Sequence, residues 1–372
     1  MKLLFWCSLF LIFFAYAGYP LCLYLWARIW PRPVRRGSAL PSVTVVMAVH
    51  NEEKYLSAKL HNLAELEYPA DRLQIVVVSD GSTDTSNEIL NARENASLRA
   101  VILPERGGKA TALNYGLAMA RGEVIVFTDA RQTIAAEALK NLVANFADPT
   151  VGCVSGELMI GQGGASGVQG VGLYWRIEKK IRLWEGLAGS TVGATGALYA
   201  VRRHLIPPLP PGTILDDVYI PLQVVRQGQR VVFEPRALAF DPLTPGPRQE
   251  FGRKLRTLVG NYQLLQLAPW ILTRPNPVRW QFVGHKLLRL LAPFALVGML
   301  VSTLWLRKDV YELALVLQLV FYALAGLRLS PGKFGFVSRL SDVSLAFLVL
   351  NSAAALAFLY FITGRKAIWS RS

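Results

Sequence analysis

Three short apolar runs each end in a polar residue or cluster. Val43–Val49 runs into His50-Asn51-Glu52, Leu73–Val78 into Ser79-Asp80, and Val124–Phe127 into Thr128-Asp129. Unbroken apolar runs of this length are what a strand buried on both faces requires. Between and beside them, Glu52–Leu66, Thr83–Asn91 and Ala110–Ala120 read as helices, and Ala100–Leu103 as a further strand. This alternation specifies an α/β fold with a doubly wound, mostly parallel sheet. In such a sheet the C-terminal strand ends share one edge, so their polar residues can converge on one ligand. Farther along, Tyr174–Leu187 reads as an amphipathic helix with Ile177, Ile181 and Trp184 on one face. Gly193–Arg203 reads as a turn and strand, Val218–Arg226 as a helix and Arg230–Glu234 as a strand, while Gly161–Gly172 is a glycine-rich loop.

The flanks are different in kind. The chain is 52% hydrophobic with a mean hydropathy of +0.33, too apolar for an ordinary soluble domain. Leu3–Tyr24 is long enough to span a bilayer, as are Leu287–Leu306, Val310–Leu327 and Val343–Phe361. Pro293 is expected to interrupt the second of these runs. The first resembles a cleavable leader up to Ala17, but the apolar stretch continues to Ile29 before a basic cluster, which favours a retained anchor. The formal net charge is +15, and Arg28, Arg32, Arg35, Arg36, Arg274, Arg279, Lys286, Arg289, Arg365, Lys366 and Arg371 lie beside the apolar runs. That placement favours lipid headgroups over nucleic acid as the anionic partner, and Arg28–Arg36 put the following domain in the cytoplasm. The expected organisation is an anchor over 1–30, a basic linker over 31–41, a catalytic domain over 42–250, interfacial helices over 251–286, C-terminal spans over 287–363 and a basic tail over 364–372. Trp270 and Trp280 are expected at headgroup level.

The stretch from Gly107 to Gln132 carries the most chemistry: a lysine on a glycine turn, a helix, and a buried strand ending in a lone aspartate. A helix N-terminus, Lys109 and Asp129 at one sheet edge suit a phosphate group and its cation. No dinucleotide fingerprint occurs, and Gly107-Gly108-Lys109 lacks the surroundings of a P-loop. The three cysteines and four histidines form no disulfide or metal-ligand pattern, and His50 reads as a hydrogen-bonded strand end. Asp84 reads as a helix cap, and Trp175 and Trp184 as packing residues.

The ordered set Val49-His50-Asn51-Glu52, Ser79-Asp80-Gly81-Ser82-Thr83-Asp84, Gly108-Lys109-Ala110, Thr128-Asp129-Ala130, Gly193–Arg203 and Asp216-Asp217 resembles the family 2 glycosyltransferases of GT-A fold. Among these it looks like the membrane-embedded kind that includes hyaluronan, cellulose and poly-N-acetylglucosamine synthases. The resemblance implies an inverting transfer from a nucleotide sugar, with a UDP-sugar as the expected donor, to a lipid-linked or polysaccharide acceptor at the membrane. It implies that Asn51, Glu52 and Asp80 hold the nucleoside, and that Lys109 sits near the diphosphate. Asp129 then ligates Mg²⁺ or Mn²⁺, Asp217 is the general base beside Asp216, and Arg253 and Arg256 contact the diphosphate. The sequence departs from the family pattern at Ser79, where an aspartate is common, and at Arg131, where a second metal-binding aspartate is usual. Arg253 and Thr257 replace a glutamine and a tryptophan, which argues against a processive synthase. A processive enzyme with so few spans would need partner subunits or a homo-oligomer to complete a channel. A silent sugar-nucleotide-binding scaffold is the other alternative.

Overall fold

The computed structural model describes residues 1–160, 169–241, 247–306, 308–327 and 335–364. In chain order the elements are α1 (Lys2–Phe13), α2 (Tyr19–Ile29), β1 (Val43–Val49), α3 (Glu53–Ala64), β2 (Leu73–Asp80), α4 (Ser86–Arg93), β3 (Leu98–Leu103), α5 (Lys109–Met119) and β4 (Val124–Thr128). Then come β5 (Thr133–Ile134), α6 (Ala138–Val143), β6 (Val151–Ile160), α7 (Gln169–Ala188), β7 (Leu198–Arg202), α8 (Asp216–Arg226) and β8 (Arg230–Asp241). The C-terminal part holds α9 (Pro247–Leu267), α10 (Arg279–Phe282), α11 (Leu288–Leu306), α12 (Val310–Leu327) and α13 (Gly335–Ile362).

One mixed sheet has the order β3-β2-β1-β4-β7-β6-β8-β5. The strands β3, β2, β1 and β4 pair in parallel, as the apolar runs require, whereas β7 is antiparallel to both neighbours. Side chains alternate across the strands. Val45 and Val126 face a core with Leu56 and Leu142, while Val46, Ile125 and Phe127 face a second core with Leu113, Tyr199 and Leu222. The second core also takes in Ile271, Val278 and Phe282 from the segment after α9. Burying Phe282, which is fully enclosed, contributes about 2 kcal/mol to holding that segment on the domain.

Among the described residues, four helical stretches are long and apolar enough to cross a membrane: Lys2–Ile29, Arg279–Leu306, Val310–Leu327 and Leu340–Ile362. The structure corrects the expected start of the second. Helix runs without a break from Arg279 through a π-helical turn at Val283–Leu287 to Leu306, so 279–286 belongs to this helix rather than to a separate interfacial segment. Nor does Pro293 interrupt it. Pro293 sits inside α11, in the second turn beyond the π-turn, and the helix continues through it to Leu306. Trp270 packs against the domain core under the Arg226 guanidinium, 5.4 Å from the ring centre, while Trp280 meets Phe14 and Tyr19 of the first apolar helix. Both rings are thus engaged with protein.

The basic linker is docked. Arg32 N–H donates to Leu187 O at 2.7 Å, Arg230 donates to Arg32 O at 2.7 Å, and Gly37 N–H donates to Ala144 O at 2.9 Å. Arg36 pairs with Glu234 at 2.9 Å, so part of the charge read as membrane-facing is spent inside the molecule. The expected glycine-rich loop lies largely outside the described residues, as do the basic tail beyond Gly364 and the side chain of Trp175. Trp184 packs with Tyr19 and Leu23, as expected of a packing residue.

Candidate active site

The C-terminal ends of β1, β2 and β4 lie side by side, as the parallel pairing demands. At the end of β1, Asn51 adopts a φ of +55° and its Oδ1 accepts the Thr83 amide at 2.8 Å. Two helix starts cap each other here. Asp84 accepts the Glu53 and Ser86 amides at 3.1 and 3.0 Å, and Glu53 accepts the Thr85 amide at 3.1 Å. Asp84 is therefore a cap, but for α3 as well as α4, which starts at Ser86 rather than Thr83. Ser79, standing where an aspartate was expected, bonds Ser82 and Asn87 at 2.8 and 2.7 Å. His50 Nδ1 lies 2.7 Å from the Asp80 carbonyl, a hydrogen-bonded strand end as expected.

Asp80 is buried, and its two carboxylate oxygens accept the Gly107 and Gly108 amides at 2.7 and 2.8 Å. These bonds fix the glycine turn that starts α5. Gly108 has a φ of +88°, a conformation that side chains resist. Lys109 is the first residue of α5, one position earlier than the periodicity suggested. Its Nζ lies 3.0 Å from Asp129 Oδ1 and 3.2 Å from Asp216 Oδ1. Burial works against the Lys109 charge, but Asp129, Asp216 and Asp217 more than offset it and hold its pKa above the ordinary value. For Asp129, burial favours the neutral acid, yet Lys109, Arg256 and Lys59 hold its carboxyl below the ordinary value. Glu52 faces the same space. Burial and then the Asp129 charge push its pKa up, with Arg131 opposing.

Asp216 and Asp217 form the first turn of α8, two residues earlier than read from sequence. They have different fates. Asp216 is buried, accepts the Tyr199 hydroxyl at 3.2 Å and pairs with Lys109. Asp217 is half-buried and its carboxylate has no hydrogen bond or ion pair among the described residues. Burial, then Asp216, raise its pKa to about 6 against the pull of Lys109. A Cβ placed on Gly196 would stand 3.2 Å from Asp217 Oδ2, so the glycine keeps that oxygen accessible.

Arg131 turns away from the expected metal position and pairs with buried Asp241 at 2.6 Å. Arg253 approaches the same carboxylate at 3.8 Å. Arg256, one turn along α9, is exposed and acts on Asp129 through its charge. The structure thus groups Glu52, Lys109, Asp129, Asp216, Asp217 and Arg256 electrostatically, while Asn51 and Asp80 shape the loops around them.

Several participants had no clear sequence signal. Buried Lys59 donates to Thr128 Oγ1 at 2.9 Å and to Gln132 O at 2.6 Å, bracing the turn that carries Asp129. Burial lowers its pKa to about 7, with Asp129 opposing. In sequence it reads as one more polar position of an amphipathic helix. Tyr199 lies near the start of β7, inside the stretch Gly193–Arg203 but not singled out within it, and Asp241 ends β8 with no motif around it.

Among the described residues no three His, Cys, Asp or Glu side chains form a ready-made metal cage. Asp129 with Glu52 nearby does fit a divalent ion that arrives with a diphosphate, since Mg²⁺-type ions are commonly held by one or two carboxylates plus substrate oxygens.

A family model described as glycosyl transferase family 2 matches residues 44–206. Over residues 44–206 the chain is thus similar to the family 2 glycosyl transferases. A probable glycosyltransferase, YdaM of Bacillus subtilis, is 29% identical over 217 residues, 54% of this chain and 51% of that protein. The poly-beta-1,6-N-acetyl-D-glucosamine synthase of Staphylococcus aureus is 26% identical over 207 residues, 54% of this chain and 50% of its own length. The chain therefore spans about half the length of the curated relatives it matches. Among solved structures, the Pyrobaculum calidifontis mannosyltransferase PcManGT, in complex with GDP-Man and Mn²⁺, superposes with a TM-score of 0.74. It is 23% identical and covers 99% of this chain and 100% of that one, which supports the GT-A fold for the mixed sheet and its helices.

Proposed function

We propose that this chain is an inverting glycosyltransferase that moves a sugar from a nucleotide sugar to an acceptor at the membrane, with Asp217 as general base. The observation that carries this reading is the contrast within one helix turn: Asp216 is tied to Tyr199 and Lys109, whereas Asp217 has an unengaged carboxylate whose pKa is raised to about 6. A base near neutrality can both stay ionised and take a proton from an acceptor hydroxyl. As the acceptor oxygen bonds to the anomeric carbon, the bond to the diphosphate breaks and the hydroxyl proton passes to Asp217. One displacement inverts the anomeric centre.

Asp129 and Glu52 are the residues that would hold Mg²⁺ or Mn²⁺, and a bound ion supplies charge stabilisation for the departing diphosphate. Lys109, Arg253 and Arg256 supply further positive charge on that side. The Lys109–Asp129 contact pre-sets both groups, and Asp80 keeps the glycine turn, with its helix N-terminus, open towards the phosphates. The domain works from the cytoplasmic face, where nucleotide sugars are made, with a UDP-sugar as the first donor to test.

Arg131 favours a second reading, a domain that binds nucleotide sugar without turning it over, because a cation replaces an expected metal ligand and pairs with Asp241. Nucleoside diphosphate release from a panel of UDP- and GDP-sugars, with Mg²⁺, Mn²⁺ or chelator, separates the two. Metal-dependent release with one donor is expected. Tight donor binding without release in the presence of native membrane lipids selects the second reading.

A further inference from the structure

Glu52 and Asp129, the two carboxylates on the candidate metal side, come from different elements. Glu52 is the N-cap of α3, and Asp129 follows β4. Nothing local to either residue fixes the spacing between them. The link is made from behind by Lys59, two turns into α3 and fully buried at 1% exposure. Its Nζ donates to Thr128 Oγ1 at 2.9 Å and to Gln132 O at 2.6 Å, so the ammonium grips the chain on both sides of Asp129. Thr128 passes the contact on, since its hydroxyl donates to Ala197 O at 2.9 Å. Ala197 follows Gly196, the residue against which the Asp217 carboxylate lies.

Packing gives no reason for a lysine here. Leu56, Leu60 and Leu63 of the same helix belong to the apolar core, and a methionine would join them without desolvating a charge. Among the described residues no carboxylate pairs with Lys59 directly. Enclosing an ammonium in this way is costly, and the cost appears as a pKa lowered by burial to about 7. Anchoring the segment needs no charge either. Asn62, one turn further along α3, holds both backbone groups of Ile134, accepting from its N–H at 2.8 Å and donating to its O at 2.9 Å. What Lys59 adds is a grip beside Asp129 and a positive charge that, after Lys109 and Arg256, helps keep that carboxyl ionised against burial.

We infer that Lys59 is a positioning residue that fixes Asp129 relative to Glu52, and so sets how well the pair receives the divalent ion arriving with the diphosphate. This rests on the reading of Asp129 as the metal carboxylate. The requirement is geometric. Mg²⁺ demands a near-ideal octahedral shell, so an error in the spacing of two carboxylates from separate elements lowers affinity directly. The lysine's charge alone acts in the opposite sense, because a cation near Asp129 competes with the ion. Removing Lys59 therefore gives a diagnostic sign: weaker metal-dependent binding if it positions, tighter binding if it is only a competing charge.

The test is calorimetric binding of UDP and GDP to the full chain in detergent, with Mn²⁺ and with chelator, alongside the thermal midpoint. Lys59→Met is expected to weaken Mn²⁺-dependent binding by about tenfold, the scale on which groups that orient a metal's ligands act, and to leave binding in chelator unchanged. Lys59→Gln, which keeps a donor, should recover part of the loss. Asn62→Ala should lower the thermal midpoint and leave both affinities unmoved. Unchanged or tighter Mn²⁺-dependent binding by Lys59→Met overturns the inference. An equal loss in Asn62→Ala also overturns it, because the effect is then one of segment stability. Thr128→Val, which removes only the hydroxyl between Lys59 and Ala197, carries the test should Lys59→Met not fold; weaker Mn²⁺-dependent binding is expected and unchanged binding overturns the role. Asp129→Ala separates this inference from the reading beneath it. Intact Mn²⁺-dependent binding in that variant, or no Mn²⁺ dependence in the wild type, removes the metal assignment and the inference with it. Lost binding in Asp129→Ala with normal binding in Lys59→Met sinks the positioning role alone.

Discussion

The Lys109 cluster and the His285 cluster both reach Asp217 through the charge of a lysine, Lys109 in one and Lys286 in the other, and they are built differently. Around Lys109 one ammonium faces the carboxylates of Asp129, Asp216 and Asp217, and the surplus is negative. Around His285, among the described residues, His285, Arg289 and Arg182 meet Glu178, while His285 and Tyr19 meet Glu185. Buried charge of one sign calls for a counter-charge. Under the proposed reading, the first cluster suits the cation that arrives with a diphosphate.

The largest effect should come from the residue between them. Asp217→Asn is expected to lower kcat by about 10³-fold, within the range of a lost general base, with calorimetric donor affinity unchanged. Near-normal turnover would mean that neither cluster is arranged around this carboxylate. Next, His285→Ala leaves two buried carboxylates facing each other without their bridge. Removing one member of such a network costs about 3 kcal/mol, read as a lower thermal midpoint, while donor binding at the far cluster is preserved. Loss of donor binding as well would show that the clusters are one unit.

Asp129→Ala should weaken metal-dependent nucleotide affinity by about tenfold, in line with losses seen when a metal's support is cut, and leave metal-free binding intact. The smallest effect is a displaced pH limb. The rate of the wild-type protein should fall as pH drops through about 6, where Asp217 takes up a proton. Lys109 lowers that pKa, so Lys109→Met should move the limb to higher pH. An unmoved limb in a pH-rate profile would detach Lys109 from the base.

Legibility in the sequence divided along similar lines. The parallel half of the sheet and its polar strand ends could be read because apolar runs and the residues that terminate them are local signals. The Asp216-Asp217 pair was equally plain, and only the structure shows which partner is consumed, because Tyr199 and Lys109 come from distant strands and turns. The strand β6 was passed over, since Gly152 and Gly156 dilute its apolar pattern. Lys59 and Asp241 act through contacts 69 and 110 residues away, which no window reveals. A usable signal was present in α7. Glu178 and Glu185 are seven residues apart and so share a helix face with apolar Ile181. Acids on a greasy stripe ask for buried partners, and His285 and Arg289 on the apolar helix were available to be those partners.

The docked linker has a mechanical meaning. Its backbone is bonded to α7 at Leu187 and to the β8 side chain Arg230, so it behaves as a strut rather than a tether. Under the proposed reading, the height of Asp217 above the bilayer is then a fixed dimension, and an acceptor has to present its reactive oxygen at that height, a selection rule set by architecture instead of by any single contact.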